Sequence, residues 1–175
     1  MYITEYNSPL GRLSIAGDGE SIIGIWIENQ KYFGGKVDLD EAVMAPSLPV
    51  FKSTVRWLDI YFSGGKPDFM PPLFASGSEF QKSVWRILQE TAYGEITTYG
   101  AIAKRLEVQT GKRVSARAVG SAVGHNPISI LIPCHRVVGA DGSLTGYAGG
   151  IDKKLKLLSI EGVDVDGLYV SRPFP

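Results

Sequence analysis

Apolar residues alternate with polar ones through the first 27 residues and recur every third or fourth position through most of the second half, a change of period that constrains the fold most. Alternation suits strands with one buried face, and three-four spacing suits helices with one buried stripe. Tyr2 to Tyr6, Leu13 to Ala16 and Ile22 to Ile27 therefore read as three short strands. The turn signals Ser8-Pro9-Leu10-Gly11 and Gly17-Asp18-Gly19-Glu20 separate them and make a meander. Asn29 to Leu39 is polar and contains glycine, which predicts a loop with room for a further edge segment. Val50, Val55, Leu58, Ile60, Tyr61 and Phe62 place a helix over Pro49 to Phe62, stopped by Ser63-Gly64-Gly65. Lys66 to Pro72, with Pro67, Pro71 and Pro72, reads as a stiff connection.

Beyond it the pattern is helical. Ser78 or Ser76 can cap a helix from Glu79 to Glu90, and Thr98 can cap a second that buries Ile102, Ala103 and Leu106. A polar stretch, Glu107 to Arg113, leads to a third helix over Ser115 to Val123, so that the order is helix, turn, helix. Ala116, Ala118, Gly120, Ser121 and Ala122 are small, and Arg117 is the one long charged group among them. Such a face fits close approach to another surface, and equally fits tight packing on a neighbouring helix. His125-Asn126-Pro127 closes the helix, with Asn126 expected to tolerate the left-handed region. A strand is expected next, from Ile128 through Cys134 to Val138. A turn at Gly139 to Gly142, a glycine-rich loop at Thr145 to Gly150 and a last helix over Asp152 to Ile160 follow, and the tail beyond Val163 is expected to be loosely held. The fold class is α/β in its α+β form: a small α/β domain at residues 1–74, then a mostly helical domain at 75–175.

The chemistry concentrates at Pro133-Cys134-His135-Arg136-Val137. Cys134 is the only cysteine, and taken alone it reads as a small buried hydrophobe. A histidine and an arginine directly behind it reverse that reading, because cationic or imidazole neighbours lower a thiol pKa and make the thiolate available. Neighbouring side chains diverge, so His135 is expected to reach the thiol through a water as readily as directly, and an acid must then orient the imidazole. One cysteine excludes an intrachain disulfide framework, and with no Cys or His in the first 124 residues no zinc site can form there. The longest mostly apolar run, Ile128 to Pro133, is too short to span a bilayer, and the N-terminus lacks a signal-peptide pattern, so a cytoplasmic protein without membrane association is expected. Net charge is zero, yet residues 1–79 hold six bases against ten acids while residues 80–137 hold eight against three. The basic middle suggests an anionic partner, with a solvated basic face as the plain alternative.

Pro133 to Val137, with Asn126-Pro127 before it and Tyr147-Ala148-Gly149-Gly150 and Glu161-Gly162 after it, resembles the O6-alkylguanine-DNA alkyltransferases. The likeness runs from about Phe80 to Gly162; the first half resembles the family's ribonuclease-H-like domain only in length and strand order. The resemblance implies a winged-helix-like second domain with a helix-turn-helix. It also implies one irreversible transfer of an alkyl group from the O6 position of guanine, and from O4 of thymine, to Cys134, with the target base flipped out of duplex DNA. It makes His135 the general base through water, Glu161 its orienting acid, Asn126 the hinge, and Tyr99 the donor that protonates the leaving guanine. Arg117 becomes the finger that fills the vacated stack, with Ser115, Ala116, Ala118, Thr98 and Tyr99 against DNA. Val137, Tyr147, Ala148 and Gly149 become the substrate pocket, with the Cys134 and Val137 carbonyls accepting from the guanine amino group and the backbone N–H near Ala148 facing O6. Some relatives carry serine where Ala148 stands; a backbone donor survives that change. Minor-groove binding is implied, no cofactor or metal is needed, and the protein is expected to act as a monomer on double-stranded DNA containing O6-alkylguanine. The competing readings are a non-catalytic lesion sensor of the same fold, which lacks the acceptor cysteine, a thiol hydrolase, and a DNA-binding regulator with an incidental thiol.

Overall fold

The alternating segments form β1 (Tyr2–Ser8), β2 (Gly11–Gly17) and β3 (Ile22–Ile27), an antiparallel meander in the computed structural model, which describes residues 1–170. Ser8 pairs with Gly11 across the first turn, where Gly11 takes φ 105°, a value that suits a residue without Cβ. A two-residue strand, β4 (Val43–Met44), adds parallel to β1 and gives the sheet order β3-β2-β1-β4. The expected loop at Asn29 to Leu39 is a run of turns, and the edge segment lies just beyond it. The helix α1 (Pro49–Phe62) starts with proline at its first position and buries Val50, Phe51, Thr54, Trp57, Leu58 and Tyr61, one stripe at helical spacing.

The chain divides into two compact units, one made of Met1–Ser76 with Pro127–Leu131 and the other of Gly77–Asn126 with Ile132 onward. The segment 127–131 therefore packs with the meander. The Ile25 amide donates to the Pro127 carbonyl at 2.9 Å and the Ser129 amide to the Ile25 carbonyl at 3.0 Å. On the same strand, Ile22 exchanges bonds with Pro72 and Phe74, so single bridges to Leu73 and Ile128 cover the open edge of β3.

In the second unit, α2 (Glu79–Glu90) begins with a capping box in which the Ser78 hydroxyl accepts from the Gln81 amide and the Gln81 side chain accepts from the Ser78 amide. It buries Val84, Trp85, Ile87 and Leu88, and the Trp85 indole donates to the Ala122 carbonyl at 2.9 Å. A two-residue strand β5 (Thr97–Thr98) leads into α3 (Tyr99–Thr110), capped by Thr98 and ended at Gly111 with φ 67°. After a short turn, Ser115 caps α4 (Ala116–Gly124), which buries Val119, Ala122 and Val123 and leaves Ala116, Arg117 and Ala118 exposed. These helices are the expected helix-turn-helix. β6 (Val137–Val138) runs parallel to β5, and α5 (Ile151–Ile160) completes the unit.

Three local expectations fail. The segment carrying Cys134 is not a strand: Pro133 (φ −82°, ψ 65°) centres a tight turn in which the Cys134 amide donates to the Ile132 carbonyl, and Cys134–Arg136 is one 3₁₀ turn. Proline cannot donate to a ladder, so the β-branched run ends there. Asn126 is not left-handed; the positive φ of this stretch falls on Ile130 (74°), inside a three-residue turn closed by the Leu131 amide on the Ser129 carbonyl. The tail is also held as far as it is described. Val163, Val165 and Leu168 pack against Val138, Leu144 and Leu158, and the Leu144 amide donates to the Tyr169 carbonyl at 2.7 Å.

Candidate active site

The 3₁₀ turn aims two consecutive side chains at different partners. Cys134 is buried, and the Asn126 side chain, from just beyond the end of α4, donates to the Ile132 carbonyl at 2.8 Å and hydrogen-bonds the thiol. Asn126 thereby ties α4 to the turn, the position expected of a hinge. Burial pushes the Cys134 thiol pKa up; the Asn126 hydrogen bond, the Lys154 ammonium and the backbone N–H groups of Cys134 and His135 oppose that rise. The expectation that His135 and Arg136 lower it directly fails, because both side chains turn to Glu161 instead.

Glu161 caps the end of α5, and its buried carboxylate gathers four donors. Oε1 accepts from His135 Nε2 at 2.6 Å and from Arg136 Nη2 at 3.0 Å; Oε2 accepts from Arg136 Nε at 2.8 Å and from the Gly94 amide at 3.2 Å. Gly94 offers that amide with φ 80°, a backbone shape a side chain would strain. Burial raises the Glu161 pKa, but the bonds from His135 and Arg136 and their charges outweigh it and bring it down to about 2. An ionised carboxylate on Nε2 makes that nitrogen the N–H donor and leaves Nδ1 as the base. Burial is also the main reason the His135 pKa falls below its ordinary value; Glu161 raises it, and Arg136 and Lys154 lower it. The imidazole is thus neutral at neutral pH, with Nδ1 as its basic nitrogen. Arg136 uses its remaining nitrogen on the Thr91 carbonyl at 2.6 Å and lies over the Tyr93 ring.

Around the thiol, the Tyr99 hydroxyl donates to the Thr145 carbonyl at 2.9 Å, and burial raises its pKa, with the nearby Cys134 adding to the rise. The Tyr147 hydroxyl is buried within electrostatic reach of Cys134 and has no hydrogen-bond partner among the described residues. Ala148 and Gly149 are half-buried in the same loop. The Val137 carbonyl accepts from Lys154 Nζ at 2.5 Å, and the Cys134 carbonyl accepts from the Val137 amide, so each has one lone pair left for a further donor. Cys134, His135, Glu161, Asn126, Tyr99, Val137 and Tyr147 are therefore one cluster. Ser115, Ala116, Arg117 and Ala118 form a separate exposed patch at the start of α4. The Thr98 and Ser115 hydroxyls accept from the Ala101 and Ala118 amides and keep their own protons for another acceptor.

Of the two buried cations among the described residues, Arg136 is expected from the sequence to act on the thiol and binds Glu161 instead, and Lys154 is not among the sequence-based candidates. A signal existed for the second: Lys154 stands on the stripe of Leu157 and Leu158, where an apolar residue belongs.

Residues 1–74 match the family described as 6-O-methylguanine DNA methyltransferase, ribonuclease-like domain, and residues 79–163 match 6-O-methylguanine DNA methyltransferase, DNA binding domain. The methylated-DNA-protein-cysteine methyltransferase of Methanosarcina acetivorans is 42% identical over 163 residues, covering 93% of this chain and 99% of that protein. The protein of the same name from Haemophilus influenzae is 43% identical over 164 residues, covering 93% of this chain and 87% of its own. Among solved structures, Mycobacterium tuberculosis OGT in complex with DNA aligns with a TM-score of 0.81 at 37% identity, covering 96% of this chain and 95% of that one.

Proposed function

The chain belongs to the 6-O-methylguanine DNA methyltransferase family, and on that premise we propose how its own residues divide the work. The protein repairs alkylated DNA by moving the alkyl group from O6 of guanine onto its own cysteine. Cys134 is the acceptor. Its thiol proton passes through a water to Nδ1 of His135, which Glu161 holds as the Nε2–H tautomer. The sulfur–carbon bond forms as the carbon–oxygen bond breaks, and the Tyr99 hydroxyl supplies a proton to the departing guanine, so guanine leaves neutral and the protein keeps a thioether. Water does not cleave the thioether, so each molecule reacts once.

Asn126 is the hinge between the helix-turn-helix and the acceptor turn. Ser115, Ala116, Arg117 and Ala118, with Thr98 and Tyr99 at the head of α3, meet the DNA, and Arg117 occupies the gap left by the flipped nucleotide. Val137, Tyr147, Ala148 and Gly149 line the base pocket. Residues 1–74 form the supporting domain and 75–175 the DNA-binding and acceptor domain. No helix of the described residues is long and apolar enough to cross a membrane, and we place the protein in the cytoplasm.

The observation that supports this reading best is the buried His135–Glu161 pair, 2.6 Å apart, next in sequence to the only cysteine, itself buried. The test is to incubate the protein with duplex DNA carrying labelled O6-methylguanine and map the label. One methyl per chain, on Cys134, is expected, and Cys134→Ser should bind DNA and take none. Label on another residue, or several per chain, would refute the assignment.

A further inference from the structure

Lys154, Leu157, Leu158 and Glu161 follow one another on a single face of α5, and all four are buried. An ammonium removed from water is costly unless an anion compensates it. Among the described residues no carboxylate does so: Nζ donates to two carbonyls, Val137 at 2.5 Å and Thr145 at 3.4 Å. The one buried carboxylate nearby, Glu161, is already taken by Arg136 and His135. The ionisable groups within electrostatic reach of the ammonium are Cys134 and His135. His135 has no anionic form to offer, so the group that can supply a negative charge is the thiol.

We propose that Lys154 is a positioning residue of the alkyl transfer, the built-in counter-charge of the Cys134 thiolate, whose ammonium also pins the Val137 and Thr145 carbonyls beside the acceptor. Before reaction Arg136 and Glu161 offset each other and the Lys154 charge has no anion among the described residues; moving the thiol proton to His135 leaves the sum unchanged but gives that ammonium the thiolate as its partner. Lys154 keeps its proton throughout: His135 takes the thiol proton, the new sulfur–carbon bond consumes the thiolate charge, and no bond to nitrogen forms. Burial brings the lysine pKa down to about 8, with Cys134 pulling it back up, so the ammonium is present at neutral pH. The other groups facing Cys134 are Asn126 from the end of α4, Tyr99 from α3 and Tyr147 from the glycine-rich loop, and none of them carries a positive charge.

The inference rests on Cys134 as acceptor, and a test that titrates the thiol separates the two. In the full-length protein, Lys154→Met removes charge and donors, Lys154→Gln removes the charge while keeping N–H donors, and Lys154→Arg keeps the charge. Cys134 ionisation is read from thiolate ultraviolet absorbance, with Cys134→Ser in each background as the blank. The reaction rate with the free base 6-O-benzylguanine is measured across pH. The Met and Gln variants should raise the apparent thiol pKa by about one unit and slow the neutral-pH reaction about tenfold, with the rate recovering at higher pH. Lys154→Arg should stay near wild type in thiol pKa. Should Lys154→Met fail to fold, the Gln and Arg pair decides. A Lys154→Gln thiol that titrates like wild type overturns the proposal, even if transfer is slow, and leaves Cys134 as the acceptor.

Discussion

Tyr99 and Lys154 meet on one atom: the tyrosine hydroxyl donates to the Thr145 carbonyl at 2.9 Å and the lysine ammonium reaches the same oxygen at 3.4 Å. The carbonyl keeps a donor when Tyr99 turns away toward a base. Releasing Tyr99 therefore costs the net worth of one hydrogen bond, about 1 kcal/mol, rather than the larger penalty of an abandoned buried acceptor. Tyr99→Phe should accordingly leave thermal stability almost unchanged while slowing transfer from O6-methylguanine. Parallel unfolding and transfer measurements check this; a strongly destabilised Tyr99→Phe would mean that Lys154 does not cover for it.

Arg136 is the strongest structural partner of Glu161, because it bonds both carboxylate oxygens. Removing it as Arg136→Met leaves the carboxylate buried with fewer donors and no guanidinium charge, a change that typically costs about 3–5 kcal/mol. Urea denaturation should show a loss of that order. A loss within about 0.5 kcal/mol, the usual size for an unimportant surface site, would show that water takes over the carboxylate.

The two pKa shifts at the triad act on stability in one direction. Glu161 is held at about 2 against an ordinary 4.5, so its contribution is complete above 4.5 and is lost as pH falls toward 2. His135 lies below its ordinary 6.5, so it too favours the folded state above 6.5 and ceases to as pH falls from there toward its folded value. The urea midpoint should decline on acidification from near neutrality, before the carboxylates titrate. Transfer to 6-O-benzylguanine should fail over the same lower range, as the base becomes protonated. His135→Ala should slow that reaction about a hundredfold or more, and Glu161→Gln less. Because Glu161 raises the imidazole pKa, Glu161→Gln should also move the acid limb to lower pH; an upward move would contradict the tautomer assigned to His135.

Periodicity made the meander and the helices α1 to α5 legible, since each exposes one face and buries the other, and hydroxyl residues at 78, 98 and 115 marked three helix starts. Around Cys134 the same logic misled. A β-branched run implied a strand, but Ile130 adopts a positive φ and Pro133 a tight turn, both imposed by tertiary packing. Val43–Met44 is too short for any period to register. Within the site, Cys134 and His135 stood out by chemistry, whereas Glu161, 26 residues beyond His135, came from resemblance alone. Residue identity could not forecast which way the buried thiol would shift: the adjacent cation, Arg136, points elsewhere, and the one that matters, Lys154, comes from a helix twenty residues away.

Arg117 is where a structural and a functional role make the most different predictions. It is exposed near the start of α4, among Ser115, Ala116 and Ala118, whose small side chains let the backbone approach a groove closely. If it fills the space of an extruded nucleotide, Arg117→Ala should slow repair in duplex DNA far more than reaction with free 6-O-benzylguanine, since only the duplex requires unstacking at a few kcal/mol. The defect should shrink when the lesion lies opposite a mismatch or in single-stranded DNA, where extrusion costs less. Salt dependence is a second handle: losing a phosphate contact lowers the slope of log affinity against log salt by about one, whereas losing an inserted side chain leaves it nearly unchanged. Equal slowing of the duplex and free-base reactions would assign Arg117 to the fold of α4 and remove it from base flipping.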